Sequence, residues 1–407
     1  MTSLLRRFYT DTYRPRAGAL PFLTSTIVWG IGIGCFAASL NNFLVDVYDL
    51  NQFQRGMLEF FREMPGLMLV FLLALFHRTS DWRVFRIGIL ISMVGVTLLV
   101  IPVNFHIVTL LIMIWSTGEH LTMPVRNSIS MHVAKEGRAG VSLGFTSSAF
   151  NAGHVLGNLL VAAIFMVSMR FLGLTNRVAI YNIVWILIAI LMAASLITTL
   201  TKRIEHVSVK RPRLLFKKKF SLYYGLELFY GARKQIFFTF GPFLLIREFG
   251  VDTGQMALLL GIAAVMNMIA SPWIGKLTDY IGYRTVMVYD TFILVFVCLL
   301  YGYASQWFAY KIAFWVVCIN FLLDALISTT SMAANIYVRD ISSNRDETTS
   351  TLSTGISMNH FISILVAPVG GWVWMNWGAG TLFTISAIMA LGNSLFAMMI
   401  PIRSRQI

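Results

Sequence analysis

Apolar runs of about 20 residues or more recur from Pro21 to Pro401 with only short polar breaks between them, and nothing else in this 407-residue chain narrows its fold so far. A hydrocarbon core about 30 Å thick takes about 20 residues of helix to cross, whereas a barrel strand takes about ten and alternates apolar with polar residues. No alternation of period two is present. Soluble domains carry about 25% charged residues. At 57% hydrophobic and 12% charged, this chain reads as an all-α membrane protein.

Twelve spans fit the pattern, at 21–46, 54–76, 83–103, 108–131, 140–166, 178–200, 221–246, 254–276, 285–304, 309–332, 351–375 and 379–401. An even number places both termini on one side. Lys and Arg total 23 in the tails and loops of that side, against five opposite: Arg55, Arg170, Arg177, Arg247 and Lys311. Positive charge favours the cytoplasmic side, so the termini are expected there, in a plasma or bacterial inner membrane. The net charge of +14 therefore reports topology rather than nucleic-acid binding. The run from Pro21 to Val45 is too long for a signal-peptide core and is read as a retained first helix. Cys35, Cys298 and Cys318 all fall in apolar runs and imply no disulfide framework.

The loop Thr201 to Phe220 holds eight basic residues at the middle of the chain. It divides the sequence into a tail (1–20), a six-helix bundle (21–200), a linker (201–220), a second bundle (221–401) and a short tail (402–407). Its expected partner is anionic lipid headgroups. Internal repetition supports the division. A shift of 201 residues lays 74–83 on 275–284, a shift of 205 pairs Glu119 with Asp324, and a shift of 206 pairs His154 with His360.

Between the eighth and ninth spans, Gly275, Leu277, Asp279, Gly282 and Arg284 stand in the pattern Gly-x-Leu-x-Asp-x-x-Gly-x-Arg. This resembles the signature loop of the major facilitator superfamily, and the resemblance extends over 21–401. It implies two six-helix bundles and rocker-switch alternating access around a small-molecule solute. Gly275 would permit close helix approach and Gly282 a tight turn, and Asp279 with Arg284 would close a charge-assisted latch favouring the outward-open state. The first-half copy keeps Arg83, but Arg78 replaces the aspartate and Asp81 the turn glycine.

Charges inside spans cost at least about 2.5–3.5 kcal/mol each, so they face a cavity or a partner. In the seventh span Glu227, Tyr230 and Lys234 share one face and Arg233 points about 100° away. One or both cations receive an anionic group of the substrate, or else they form structural ion pairs. The fourth span carries Glu119, His120 and Arg126; its repeat mate, the tenth, carries Asn320, Asp324 and Ser328. Arg126 and Asn320 join the substrate-binding candidates. Glu119 and Asp324 are proton-coupling candidates, or partners in fixed salt bridges. His154 and His360 titrate near neutrality and are further coupling candidates, or helix-to-helix hydrogen-bonding groups. In the resemblance, the fifth and eleventh spans contribute to contact between halves, which Gly153-x-x-x-Gly157 also suits. Glu59, Arg62 and Glu63 form a paired cluster in the outer third of the second span, either an extracellular gate or a solvated helix end.

No His-Glu-x-x-His, Gly-x-Ser-x-Gly or nucleotide-binding glycine loop occurs, so no enzymatic activity is expected. Neither a cofactor nor a metal site is expected, and a proton gradient is the candidate driving force. The chain is expected to be a monomer. A drug or lipid exporter of the same fold is the alternative transporter, although the proline-containing antiporter signature of many drug exporters is missing from the fifth span. A sensor or scaffold, or a membrane enzyme such as a protease or acyltransferase, is the non-transporting alternative.

Overall fold

The computed structural model describes residues 9–15, 18–76, 78–200 and 216–401. All twelve expected spans fall on helix. They are α1 (Ala19–Tyr48), α2 (Gln52–Leu67) with α3 (Leu69–Leu75), α4 (Asp81–Leu98), α5 (Phe105–Val133), α6 (Ala139–Met166), α7 (Arg177–Leu200), α8 (Ser221–Phe249), α9 (Thr253–Ile281), α10 (Tyr283–Trp307), α11 (Tyr310–Ser328) with α12 (Met332–Ile341), and α13 (Arg345–Met398). Among the described residues, seven segments are long and apolar enough to cross a membrane by length and composition alone, the last holding 49 residues.

Three departures from the expected spans have local causes. The second span breaks at Met68, just after Pro65, whose missing N–H removes a ladder bond. The tenth runs on to Ile341 through a 3₁₀ turn at Thr329–Ser331, where Ser328, Thr329, Thr330 and Ser331 each donate a hydroxyl to a backbone carbonyl three or four residues back. Such back-bonding bends helices. The eleventh and twelfth merge in α13 and are separated by Gly378, with φ 84° and ψ 166°, a conformation that favours glycine. At the other end of α8, Gly250 at φ 65° donates its N–H to Ile246 and Val251 donates to Leu245, closing the helix with a left-handed cap.

The chain forms two compact units that are not contiguous halves. Described residues up to 48, 68–200 and 253–261 make one; 49–67, 216–252 and 262–401 make the other. α2 and the first turns of α9 are therefore each housed in the unit opposite to their place in sequence.

In the first unit α1 is central. Gly30 and Gly34 lie against the backbone of Phe150 and His154 on α6, while Gly153 and Gly157 lie against Ile27 and Ile31 on α1. A Cβ at any of the four would sit inside van der Waals contact of main-chain atoms. Without a hydrophobic drive between helices in lipid, this close approach is how packing energy is gained. The Gly153 and Gly157 pair thus serves α1 within its own unit. Phe36 stacks on Trp115 with centroids 3.6 Å apart, and Ser25 and Ser195 share a hydroxyl contact of 2.7 Å.

In the second unit α8 packs against α13. Phe240 and Phe243 meet Trp374 edge-on, and Tyr301 stacks on Phe383 at 4.9 Å. α2 joins this unit through Gly56, which lies against the backbone of Ala367 and Pro368, and Gly371, which lies against Gln52.

Candidate functional site

Arg126 projects from α5 about two turns past its middle. Its guanidinium carbon lies 3.9 Å from the centroid of the Phe150 ring on α6. The Nε atom is buried without a partner, and no hydrogen bond or ion pair reaches the side chain among the described residues. Glu119 lies within electrostatic reach on the same helix. An arginine has five N–H donors and no acceptor, and here the buried Nε–H is left without an acceptor among the described residues. His154 is half-buried, its ring 6.4 Å from that of Phe150.

The neighbouring cations of α8 separate, as the 100° turn between them requires. Arg233 is buried and donates to Asp324 of α11 at 3.0 Å, joining a substrate-binding candidate to a proton-coupling candidate. Its guanidinium also lies 5.3 Å from the Tyr230 ring. Lys234, one residue on, is exposed at the middle of the helix and makes no ion pair among the described residues. A lipid-facing ammonium at that depth is costly, so exposure there means water. Lys234 acts electrostatically on Glu227, which also takes hydrogen bonds from Asn359 at 3.4 Å and from Tyr223. Asn320 is buried with its Nδ2 unpaired.

Two participants escaped the sequence reading. Asp290 lies inside the ninth span, contacts Thr330 at 2.5 Å and feels the charge of Arg233. The signal was present: a carboxylate inside an apolar run, as diagnostic as the basic residues that were counted. Arg55, assigned to an outer loop, is instead buried in α2 at 1% exposure and pairs with Glu59 at 2.6 Å. Glu59, 0% exposed, also binds Arg62 at 2.7 Å. Arg62 in turn binds Glu63, and Glu63 meets His360 of α13 at 2.7 Å. Gln235 of α8 reaches Glu59 at 3.5 Å. A solvated helix end is thereby ruled out for this cluster, because charges at this burial require an interlocked network.

In the signature loop Gly282 has φ 88° and starts α10, as its turn role requires. Gly275 makes no close helix approach: a Cβ there would find only the Met332 sulfur, at 3.9 Å. Asp279 is exposed, and Arg284 donates instead to the Met398 carbonyl at 2.8 Å, so the two charges are not brought together. Arg83 is also exposed, while Arg86, one turn on, donates to Thr199. In the linker, Lys217 and Lys219 bind Glu347 at 2.7 and 2.6 Å. Lys202, Arg203, Lys210, Arg211 and Arg213 lie outside the described residues.

A family model described as Major Facilitator Superfamily matches residues 64–333 and 223–406. No curated protein matches the chain in sequence. Among solved structures, the nucleoside transporter NupG is 15% identical with a TM-score of 0.73, covering 94% of this chain and 98% of its own. A bacterial homologue of the iron transporter ferroportin, in an inward-facing state, is 12% identical with a TM-score of 0.73, covering 98% and 99%. A peptide transporter solved with sulfate is 12% identical with a TM-score of 0.68, covering 97% of each chain. At these identities the likeness is one of fold.

Proposed function

This chain belongs to the major facilitator superfamily, and from that premise we propose that it is a secondary transporter carrying a small organic solute with an anionic group by alternating access. The observation that carries the reading is Arg126, a half-buried guanidinium within a helix of the first unit whose buried Nε–H finds no acceptor among the described residues. Leaving a buried donor unsatisfied costs about 1–3 kcal/mol, and more for a charged group. A carboxylate or phosphate oxygen of the solute removes that cost, and Phe150 holds the guanidinium plane in place. Lys234, with Glu227 and Tyr230 on its face of α8, is the corresponding group in the second unit.

The Arg233–Asp324 pair has the composition of a proton-coupling element, since protonating the aspartate releases the arginine. The bias of 23 basic residues against five supports cytoplasmic termini. Lipid contact at the linker falls to Lys218 and the basic residues outside the described segment, because Lys217 and Lys219 are engaged by Glu347.

The test is a thermal-shift screen of purified protein against carboxylated, phosphorylated and uncharged solutes. Anionic solutes are expected to raise the melting temperature of the native protein. Arg126→Gln should keep its unliganded melting temperature and lose that response. Stabilisation by uncharged solutes alone, or an Arg126→Gln variant that still responds fully, contradicts the reading.

A further inference from the structure

We propose that Asn158 of α6 is a solute-binding carboxamide, that it takes a polar group offering a donor and an acceptor side by side, and that the first turns of α9 are the lid over it. Asn158 is fully buried, and neither its Nδ2 nor its Oδ1 has a hydrogen-bond partner among the described residues. An unmet buried amide is costly, and a leucine of similar size would fill the same space without that cost. Asn158 shares a face of α6 with His154 and Phe150, one and two turns back toward the start of the helix. Arg126 lies over the Phe150 ring at 3.9 Å. The anion site and the amide are therefore about 12 Å apart along one helix face, at a rise of about 1.5 Å per residue. A solute with an anionic group at one end and an amide at the other matches the two. That identification of the solute rests on the anion-site reading, whereas the amide site and its lid do not.

What covers Asn158 is the start of α9. Gly261 lies beside it: a Cβ there would stand 3.7 Å from the Asn158 Cβ and 3.5 Å from the Leu159 side chain, which is ordinary contact. Packing thus admits a side chain at 261, and glycine leaves that space open next to the amide. Residues 253–261 group with the first unit, whereas α9 from Ile262 onward groups with the second. The covering turns belong with Asn158 and not with the remainder of their own helix.

One hydroxyl contact holds the far end of the cover. Thr253, at the start of α9, lies 2.7 Å from the Tyr181 hydroxyl of α7, which donates to Asp46 of α1 at 2.7 Å. A hydroxyl has one hydrogen to give, so Thr253 is the donor to Tyr181. Arg177 holds the other Asp46 oxygen at 2.5 Å, and Phe165 of α6 packs on the Tyr181 ring with centroids 5.0 Å apart. Latch and amide are at the same end of the unit, since Thr253 is two turns from Gly261 and Phe165 two turns from Asn158. A bond between two neutral hydroxyls contributes little net stability, so this closure opens easily.

Two measurements on the purified protein test the proposal. The first is thermal shift with half-amides of linear dicarboxylic acids, each beside its half methyl ester, which keeps the acceptor and lacks the donors. Half-amides are expected to stabilise the native protein more than the esters do. Asn158→Leu should melt above the native protein without ligand and respond equally to both. The second is labelling of Asn158→Cys by a water-soluble maleimide, against a background in which the three native cysteines are buried. Labelling should be slow and should rise about 2–10-fold with Tyr181→Phe, the gain in open population when one hydrogen bond is lost. An equal response of the native protein to amide and ester, the result for an amide satisfied by water only, overturns the binding site. So does an Asn158→Leu variant that melts below the native protein or fails to fold, because the amide is then structural. Labelling indifferent to Tyr181→Phe overturns the lid. If no anionic solute stabilises the protein, yet uncharged diamides are preferred over diesters and Asn158→Leu abolishes the preference, the anion-site reading fails and this one stands.

Discussion

Replacing Asp324 by alanine leaves Arg233 buried without its bonded carboxylate. The Arg233 side chain is 6% exposed and that of Asp324 17%. Removing one partner of a buried pair costs about 3–5 kcal/mol, because the remaining charge is stranded. The lower end applies here, since Asp324 is partly wetted. For a unit of this size about 3 kcal/mol corresponds to about 6–12 °C in melting temperature. The reciprocal change, Arg233→Met, strands Asp324, whose carboxylate can neutralise by taking a proton, and should cost less. The double variant Arg233→Met with Asp324→Leu replaces the pair by apolar groups and should recover to within about 1 kcal/mol of the native protein. The assay follows from the three cysteines, all of which are buried, so a thiol-reactive fluorogenic dye reports unfolding as they become exposed. If Asp324→Ala shifts the midpoint by less than about 2 °C, or the double variant is as unstable as the sum of the singles, the reasoning about a structural and coupling pair fails.

Three other expectations rest on separate features. Gly34→Leu should sharply lower the yield of folded protein, measured by size-exclusion profile, because its side chain would enter the backbone of α6 at His154. Glu347 is held below the ordinary carboxylate range by hydrogen bonds from Lys217 and Lys219 and from the Ser343 backbone N–H. A depressed folded value contributes stability above the unfolded pKa and loses it as pH falls through the folded value. Glu347→Gln should therefore melt below the native protein at pH 7, with the difference closing only in strong acid. Gly282→Ala at φ 88° should cost about 1 kcal/mol, read as a fall of a few degrees in the same dye assay.

The helices were legible because a bilayer leaves the chain few alternatives, so apolar length alone placed all twelve spans on helix. Breaks within spans were less visible. The back-bonded run at Ser328–Ser331 and the left-handed Gly378 act through individual hydrogen bonds and one dihedral angle, which an average over about 20 residues does not register. For the site, sequence spacing separated Arg233 from Lys234 but gave no means of deciding which was already bonded. That depends on Asp324, 91 residues away. Arg55 was misplaced because charge at a span end reads as loop, and only the proximity of Glu59, Arg62, Glu63 and His360 makes its burial affordable. The signature motif was correct as a turn at Gly282, while the latch it resembles is not closed between Asp279 and Arg284 in this structure.

Solute flux into proteoliposomes, with and without an imposed pH gradient, tests the central claim most directly. The account predicts uptake of at least one anionic solute by the native protein, acceleration by the gradient, and uptake reduced at least tenfold by Arg126→Gln in protein that remains folded. No flux from a panel of carboxylated, phosphorylated and uncharged solutes, or flux indifferent to Arg126, would contradict it.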